Sequence, residues 1–472
     1  MRNKSILLFV WIFLLAFSLT QNSYAQQKYP LGMNFDDASY QQVNKKATLI
    51  TRDYQVLPKA ASLKNFCPIP KNQGQYGTCV GWSTAYAART ILEAKQNNWT
   101  DKTTITSNAF AAGFIYKQIK DANDASCRYG SFIDDALSTM MEKGAAKYSL
   151  FSESCPDEIP SNVFQAASGY KIQDFARLFE QDDNKSSKIQ TTKKALANGN
   201  PVVIGMKCPD SFQNASGYWQ PSQDEDPSYQ YGGHAMCVIG YDNDMYGGAF
   251  EIQNSWGTDW GNEGYIWIRY DDFADFVKYG YEVIAINKGS NVAAVDLSGE
   301  IKFVNANGSE MNATLQTNQQ GVGYYAMTQA YSSGTRFRLY ISNNQPAYVY
   351  AIGSDLTTKI FNIFPHKAGI SAALNYSSNS VAIPDEDHYV QMDNTIGTDY
   401  LCVLYSKEPL NIDQIKQLIS QQTGSFAEKI TKALSTKLVS SDKASFEQGG
   451  VRFQAASGDK SVIAVIVETK HI

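Results

Sequence analysis

Asn72-Gln73-Gly74-Gln75-Tyr76-Gly77-Thr78-Cys79-Val80-Gly81-Trp82-Ser83 puts a cysteine where a glycine-rich loop turns into a helix. From Val80 to Ala94 the chain carries Trp82, Ala85, Tyr86, Ala88 and Leu92 on one broad face, with no Pro or Gly after Gly81. That spacing predicts an amphipathic helix with Cys79 in its first turn. A helix N-terminus presents unpaired N–H groups and a partial positive charge, which favour a thiolate and lower the cysteine pKa. Cys79 is therefore the candidate nucleophile; without chemistry, the same stretch is a packed thiol on an apolar helix.

A nucleophilic cysteine needs a base within hydrogen-bond reach and a third group to orient that base. The chain has 4 histidines, and His366, His388 and His471 all lie in its last third, which leaves His234 as the candidate base. His234 follows Gly232-Gly233 and opens an apolar strand, where small neighbours let it face a cleft. Asn254 comes 20 residues later, at the end of the next strand. A hairpin would join those strand ends, so the Asn254 amide oxygen could accept from one imidazole nitrogen and leave the other for the thiol. An amide suits a thiolate–imidazolium pair, because a buried carboxylate would over-stabilise the cation.

Three motifs in order resemble the papain-like cysteine peptidases: Gln73-Gly74 ahead of Cys79, Gly233-His234, and Asn254-Ser255-Trp256-Gly257 followed by Trp260-Gly261-Asn262-Glu263-Gly264-Tyr265. The chain departs from the family's Cys-Gly-Ser/Ala-Cys-Trp/Tyr signature, with Tyr76 for the first cysteine, Thr78 for the small residue and Val80 for the aromatic. The resemblance implies an α+β fold of two lobes, one helical and one an antiparallel β lobe, with a cleft between them. It implies catalytic Cys79, His234 and Asn254, and an oxyanion hole made by the Gln73 side chain and the Cys79 N–H. Trp256 would shield the Asn254–His234 hydrogen bond, and Gly130 would border an extended peptide substrate. It also implies a Cys127–Cys155 bridge in the helical lobe. The reaction would be acyl transfer on a protein or peptide, with no metal and no organic cofactor, and no zinc-ligand spacing occurs in the chain.

The rest of the chain bounds this reading. A length of 472 residues suggests two or three domains. A net charge of -5 gives no electrostatic footprint for nucleic acid. Residues 1–25 read as a secretory signal peptide: Arg2 and Lys4, an apolar run from Leu7 to Leu19, and Ser23-Tyr24-Ala25 before Gln26. No later run is long enough for an integral membrane span, so the expected destination is secreted, periplasmic or extracellular. Export permits disulfides. With Cys79 set aside, the six other cysteines could pair in 15 ways; Cys237 and Cys402 sit in apolar strand patterns and read as buried free thiols.

Residues 26–53 read as a short N-terminal arm or pro-piece, 54–288 as the peptidase domain, 289–297 as a linker, and 298–472 as a β-rich accessory domain. In the peptidase part, helical spacing appears over Ser107 to Lys120, Phe132 to Glu142 and Lys193 to Asn198. The last part shows short alternating strands, a helical pattern over Asn411 to Leu434 and a final strand over Ser461 to Glu468, the pattern of a β-sandwich. It resembles a bacterial domain family of unknown function and is expected to bind another protein or a surface, or to act as a passive stabiliser. Two alternatives stand beside the peptidase: an aminopeptidase or amidase on the same site, and a catalytically silent papain-fold binding protein, the latter favoured by Tyr76 and Val80.

Overall fold

The computed structural model describes residues 29–47, 57–284, 295–355, 359–375, 379–384 and 388–472. The expected signal peptide and residues 289–294 of the expected linker lie outside them; its last residue, Leu297, already opens a strand, Leu297–Asn305.

The cysteine helix is continuous from Cys79 to Gln96, α-helical at both ends and π-helical over Trp82–Arg89. It is not amphipathic as its apolar face suggests. Every residue from Cys79 to Ala94 is buried, because the helix runs between the two lobes. Several of its polar groups are satisfied inside: Ser83 and Thr84 hydroxyls turn back to the Val80 carbonyl, the Thr90 hydroxyl accepts from Phe110 N–H, and Arg89 pairs with Glu93 at 2.9 Å.

The helical lobe adds Lys102–Ser107, Ala112–Ile119 and Ile133–Lys143. The helix expected over Ser107 to Lys120 is broken, since Ala111 N–H donates to Ala146 O and Tyr148 N–H to Ala109 O, a short pairing that opens the backbone between the two helices. The bridge Cys127–Cys155 is present. The helix expected from Lys193 begins at Lys185, capped by Asn184, whose side chain accepts from Ser187 N–H at 2.9 Å; its first turns are polar and carry no apolar period.

The β lobe is an 8-stranded sheet in the order Asp174–Arg177, Val277–Ile284, Val202–Lys207, Gly233–Asp242, Ala249–Gln253, Tyr265–Arg269, Tyr218–Trp219, with Ala60–Ser62 added to Gly233–Asp242. Only the last named pair in the sequence of strands is parallel. Gly233–Asp242 and Ala249–Gln253 run antiparallel with Cys237 opposite Gln253, so His234 and Asn254 emerge at the same end. One apolar core, including Phe110, Leu137, Val203 and Ile266, runs through both lobes.

The C-terminal part is a sandwich of two sheets. One is ordered Ala313–Gln319, Val322–Met327, Val462–His471, Gly397–Ser406, Ala347–Ser354, Ile360–Phe364; the other Asn379–Ile383, Arg336–Asn343, Leu297–Asn305, Val451–Ala455, Ala444–Phe446. Ile341, Val349, Val403 and Val465 lie in the core between them. The single helical pattern over Asn411 to Leu434 is two helices, Ile412–Gln421 and Phe426–Leu434, because Gly424 takes φ +116° and Ser425 starts a new capping box with Glu428. Cys237 and Cys402 are buried thiols. Among the described residues no helix is long and apolar enough to cross a membrane.

Candidate functional site

Cys79 is the first residue of its helix, and Thr78, at the cap position, makes no side-chain cap, which leaves the first-turn N–H groups uncapped. Cys79 Sγ accepts from the N–H of Ala235 at 3.4 Å, the residue after His234. His234 Nε2 lies 2.7 Å from Asn254 Oδ1, and Asn254 Oδ1 also accepts from Ser255 N–H at 2.7 Å. With Nε2–H donated to Asn254, the lone pair is on Nδ1, which is buried without a hydrogen-bond partner. The Trp256 ring stacks on His234, with centroids 4.5 Å apart, and Trp256 is itself buried. The structure therefore brings Cys79, His234, Asn254 and Trp256 together at the junction of the lobes.

Gln73 joins them. Its Oε1 accepts from the Ser255 hydroxyl at 2.6 Å, which fixes the amide so that Nε2 donates to Tyr76 O and to Pro30 O, at 2.8 and 3.1 Å. Ser255 was missed in the sequence because it reads as filler between Asn254 and Trp256; only its position beside Gln73 reveals that it orients the amide.

The partner of Gln73 comes from the N-terminal arm. Residues 29–34 lie across the cleft: Pro30 O also accepts from Trp256 Nε1–H at 3.2 Å, and Tyr29 stacks on Trp256 at 4.9 Å. Gly32 and Met33 N–H groups both point to Gly233 O, Ser131 N–H donates to Gly32 O, and Asn34 N–H to Ser131 O. The backbone pairing expected at Gly130 is thus made by Ser131. Gly130 has φ +78°, and a Cβ there would stand 2.5 Å from Gly32 O, so its part is to leave room. A cavity of about 640 Å³ remains along the arm, bordered among others by Leu31, Gln75 and Tyr129.

The closed cleft works against the charged forms of both groups. Burial pushes the Cys79 thiol up to about 12, against partial help from the Ala235 N–H, and burial lowers His234 to about 4, opposed by its bond to Asn254. Desolvation here outweighs the helix terminus, so burial favours the neutral thiol of Cys79 and the neutral ring of His234 in this state. Among the described residues no group of three or more His, Cys, Asp or Glu could hold a metal ion.

Residues 60–283 match the model of the papain family cysteine protease, and residues 330–409 match that of a domain of unknown function, DUF4384. All the residues named above outside the arm fall in the first stretch. An uncharacterized peptidase C1-like protein of Acanthamoeba polyphaga mimivirus is 28% identical over 211 residues, covering 43% of this chain and 65% of that protein. Peptidase 1 of Dermatophagoides pteronyssinus is 23% identical over 224 residues, covering 47% and 63%, and cathepsin L of Sarcophaga peregrina 27% over 236 residues, covering 47% and 61%. The chain thus spans less than two thirds of the length of these relatives. Among solved structures, xylellain, a cysteine protease from Xylella fastidiosa, superposes with a TM-score of 0.43 at 20% identity, covering 55% of this chain and 97% of that one.

Proposed function

We propose that this chain, which carries a papain-family cysteine protease segment at residues 60–283, is an exported cysteine peptidase seen in a closed state. The observation that carries the reading is the convergence of Cys79 Sγ, a His234 ring held through Nε2 by Asn254, and a Gln73 amide aimed by Ser255. Export is supported by the sequence of residues 1–25 and by the Cys127–Cys155 bridge.

Once the arm leaves, water and substrate dipoles reach the pair, and the proton of Cys79 passes to His234 Nδ1. The thiolate attacks the scissile carbonyl carbon, and the oxyanion is held by Gln73 Nε2–H and the Cys79 N–H. His234 returns its proton to the departing amine, leaving a thioester on Cys79. Water, deprotonated by His234, then cleaves the thioester and releases the acid. Asn254 keeps the ring in the required tautomer throughout, and Trp256 covers the Asn254–His234 bond from water.

The test is hydrolysis of an unstructured protein by a chain truncated before Phe35, with Cys79→Ala and His234→Ala as controls. Truncated chain should cleave and the Cys79→Ala chain should be inert. A truncated chain whose Cys79 alkylates as an ordinary thiol of pKa about 8.5, with or without His234, would sink the peptidase and leave the silent binding protein. Release of single residues from a long peptide would point to the exopeptidase form.

A further inference from the structure

The arm does not end at the cleft. Its helix Asp37–Gln42 seats Tyr40 against Tyr279 and Tyr281, with ring centroids 4.3 and 5.2 Å away. Residues 44–46 then lie as one extended strand between two edges. On one side Arg177 N–H donates to Asn44 O at 3.0 Å and Lys46 N–H to Arg177 O at 2.8 Å, which pairs the arm with the outermost strand of the catalytic sheet. On the other side Lys45 N–H donates to Gly369 O at 2.5 Å and Ser371 N–H to Lys45 O at 2.8 Å, which pairs it with the C-terminal domain. Lys46 Nζ stands 3.3 Å from the buried Glu282 carboxylate, which also accepts from Asn375 of the C-terminal domain at 3.0 Å. Ala47 is buried in the sandwich core.

We propose that the C-terminal domain is the latch of the cleft: its 369–371 edge, with Asn375, binds the arm strand 44–46 and so holds residues 29–34 over the Cys79–His234 pair. The arm fits because the edge strand Asp174–Arg177 and the connecting segment 369–371 both offer open backbone groups to an extended segment. Only nine residues lie between Asn34 and Asn44, and the helix Asp37–Gln42 takes up six of them, so the plug and the latch are joined without slack. The domain's function is then to couple its own position to access at the cleft: whatever displaces it from the peptidase lobes opens the site. This rests on reading the cleft as the peptidase site.

The test uses the full chain and two readouts, amide hydrogen exchange along the arm and the rate of Cys79 alkylation by iodoacetamide. Ser371→Pro deletes the N–H that the C-terminal domain gives to Lys45 O, and Asn375→Leu removes its bond to Glu282. Either is expected to speed exchange at Met33 and Asn34, and alkylation, by tenfold or more. Residues 44–46 exchanging freely while Met33 and Asn34 keep wild-type protection would overturn the latch, the arm then being held by Tyr40 and the cleft alone. Should both variants unfold, the wild type decides: Met33 and Asn34 amides protected at least tenfold longer than those of Lys45 and Lys46 refute the latch, and equal or shorter protection supports it. Faster arm exchange with an unreactive Cys79 keeps the latch and removes the peptidase.

Discussion

His234 carries the clearest pH signature in the molecule. Buried as a neutral ring, it is held at about 4 in place of its ordinary 6.5. As pH falls, the unfolded chain takes up the proton first, so stability of the closed state rises with pH between about 4 and about 6.5 and is lost on acidification through that window. At about 1.4 kcal/mol per unit, the effect is on the order of 3 kcal/mol. Urea midpoints at pH 4.5 and pH 7 should differ accordingly, and His234→Ala should flatten the difference. Cys79 acts with the opposite sign, its closed-state stability being lost as pH rises above about 9. Ser255 supplies a second prediction. Because its hydroxyl only aims Gln73, Ser255→Ala should lower kcat about tenfold with little change in KM and about 1 kcal/mol or less in stability, whereas Gln73→Ala should cost roughly 10²–10³ in kcat. Equal losses in the two variants would mean that Ser255 does something other than orient the amide.

Among the elements, the Cys127–Cys155 bridge closes a loop of sequence separation 28. Loop-closure entropy puts its contribution at about 3–4 kcal/mol, so Cys155→Ser should lower the denaturant midpoint by a corresponding amount. Ser425, whose capping box with Glu428 starts the last helix, should lose about 1 kcal/mol on change to Ala. One cluster in the last strand looks like chemistry and is fastening: Ser333 Oγ lies 3.0 Å from His471 Nε2, and His471 Nδ1 lies 3.2 Å from Asp399. The N–H of Ser333 donates to Ile472 O and that of Gly334 to Met392 O, so neither of these amides is open to hold an oxyanion. The trio ties the end of Val462–His471 to the turn at 331–335.

At the scale of the whole molecule, the sequence is readable where one residue type has few physical uses. Cys79 at a helix start, a lone upstream histidine and an Asn one strand later were legible because each is scarce and because hairpin geometry brings strand ends together. The sandwich was legible from alternation. The arm was not: Tyr29-Pro30-Leu31-Gly32-Met33 has no period, and its pairing with Gly233 and Ser131 is carried by backbone groups that every residue possesses. The full burial of Cys79 and His234 was not legible either, since it depends on what packs over the cleft. Likewise the breaks at 108–111 and at Gly424 arise from a backbone pairing and a positive φ, neither visible in hydrophobic spacing.

The arm belongs to the same chain as the site it fills, so its occupancy is set by a local concentration, on the order of millimolar for a short tether, and not by the concentration of the protein. Weak contacts at Pro30, Gly32 and Met33 therefore suffice, and the closed state is indifferent to dilution. A single cut between residues 47 and 57 changes that order of reaction: blockade becomes bimolecular, and the cleaved chain should gain activity progressively as it is diluted, whereas the intact chain should show the same activity per molecule at every concentration.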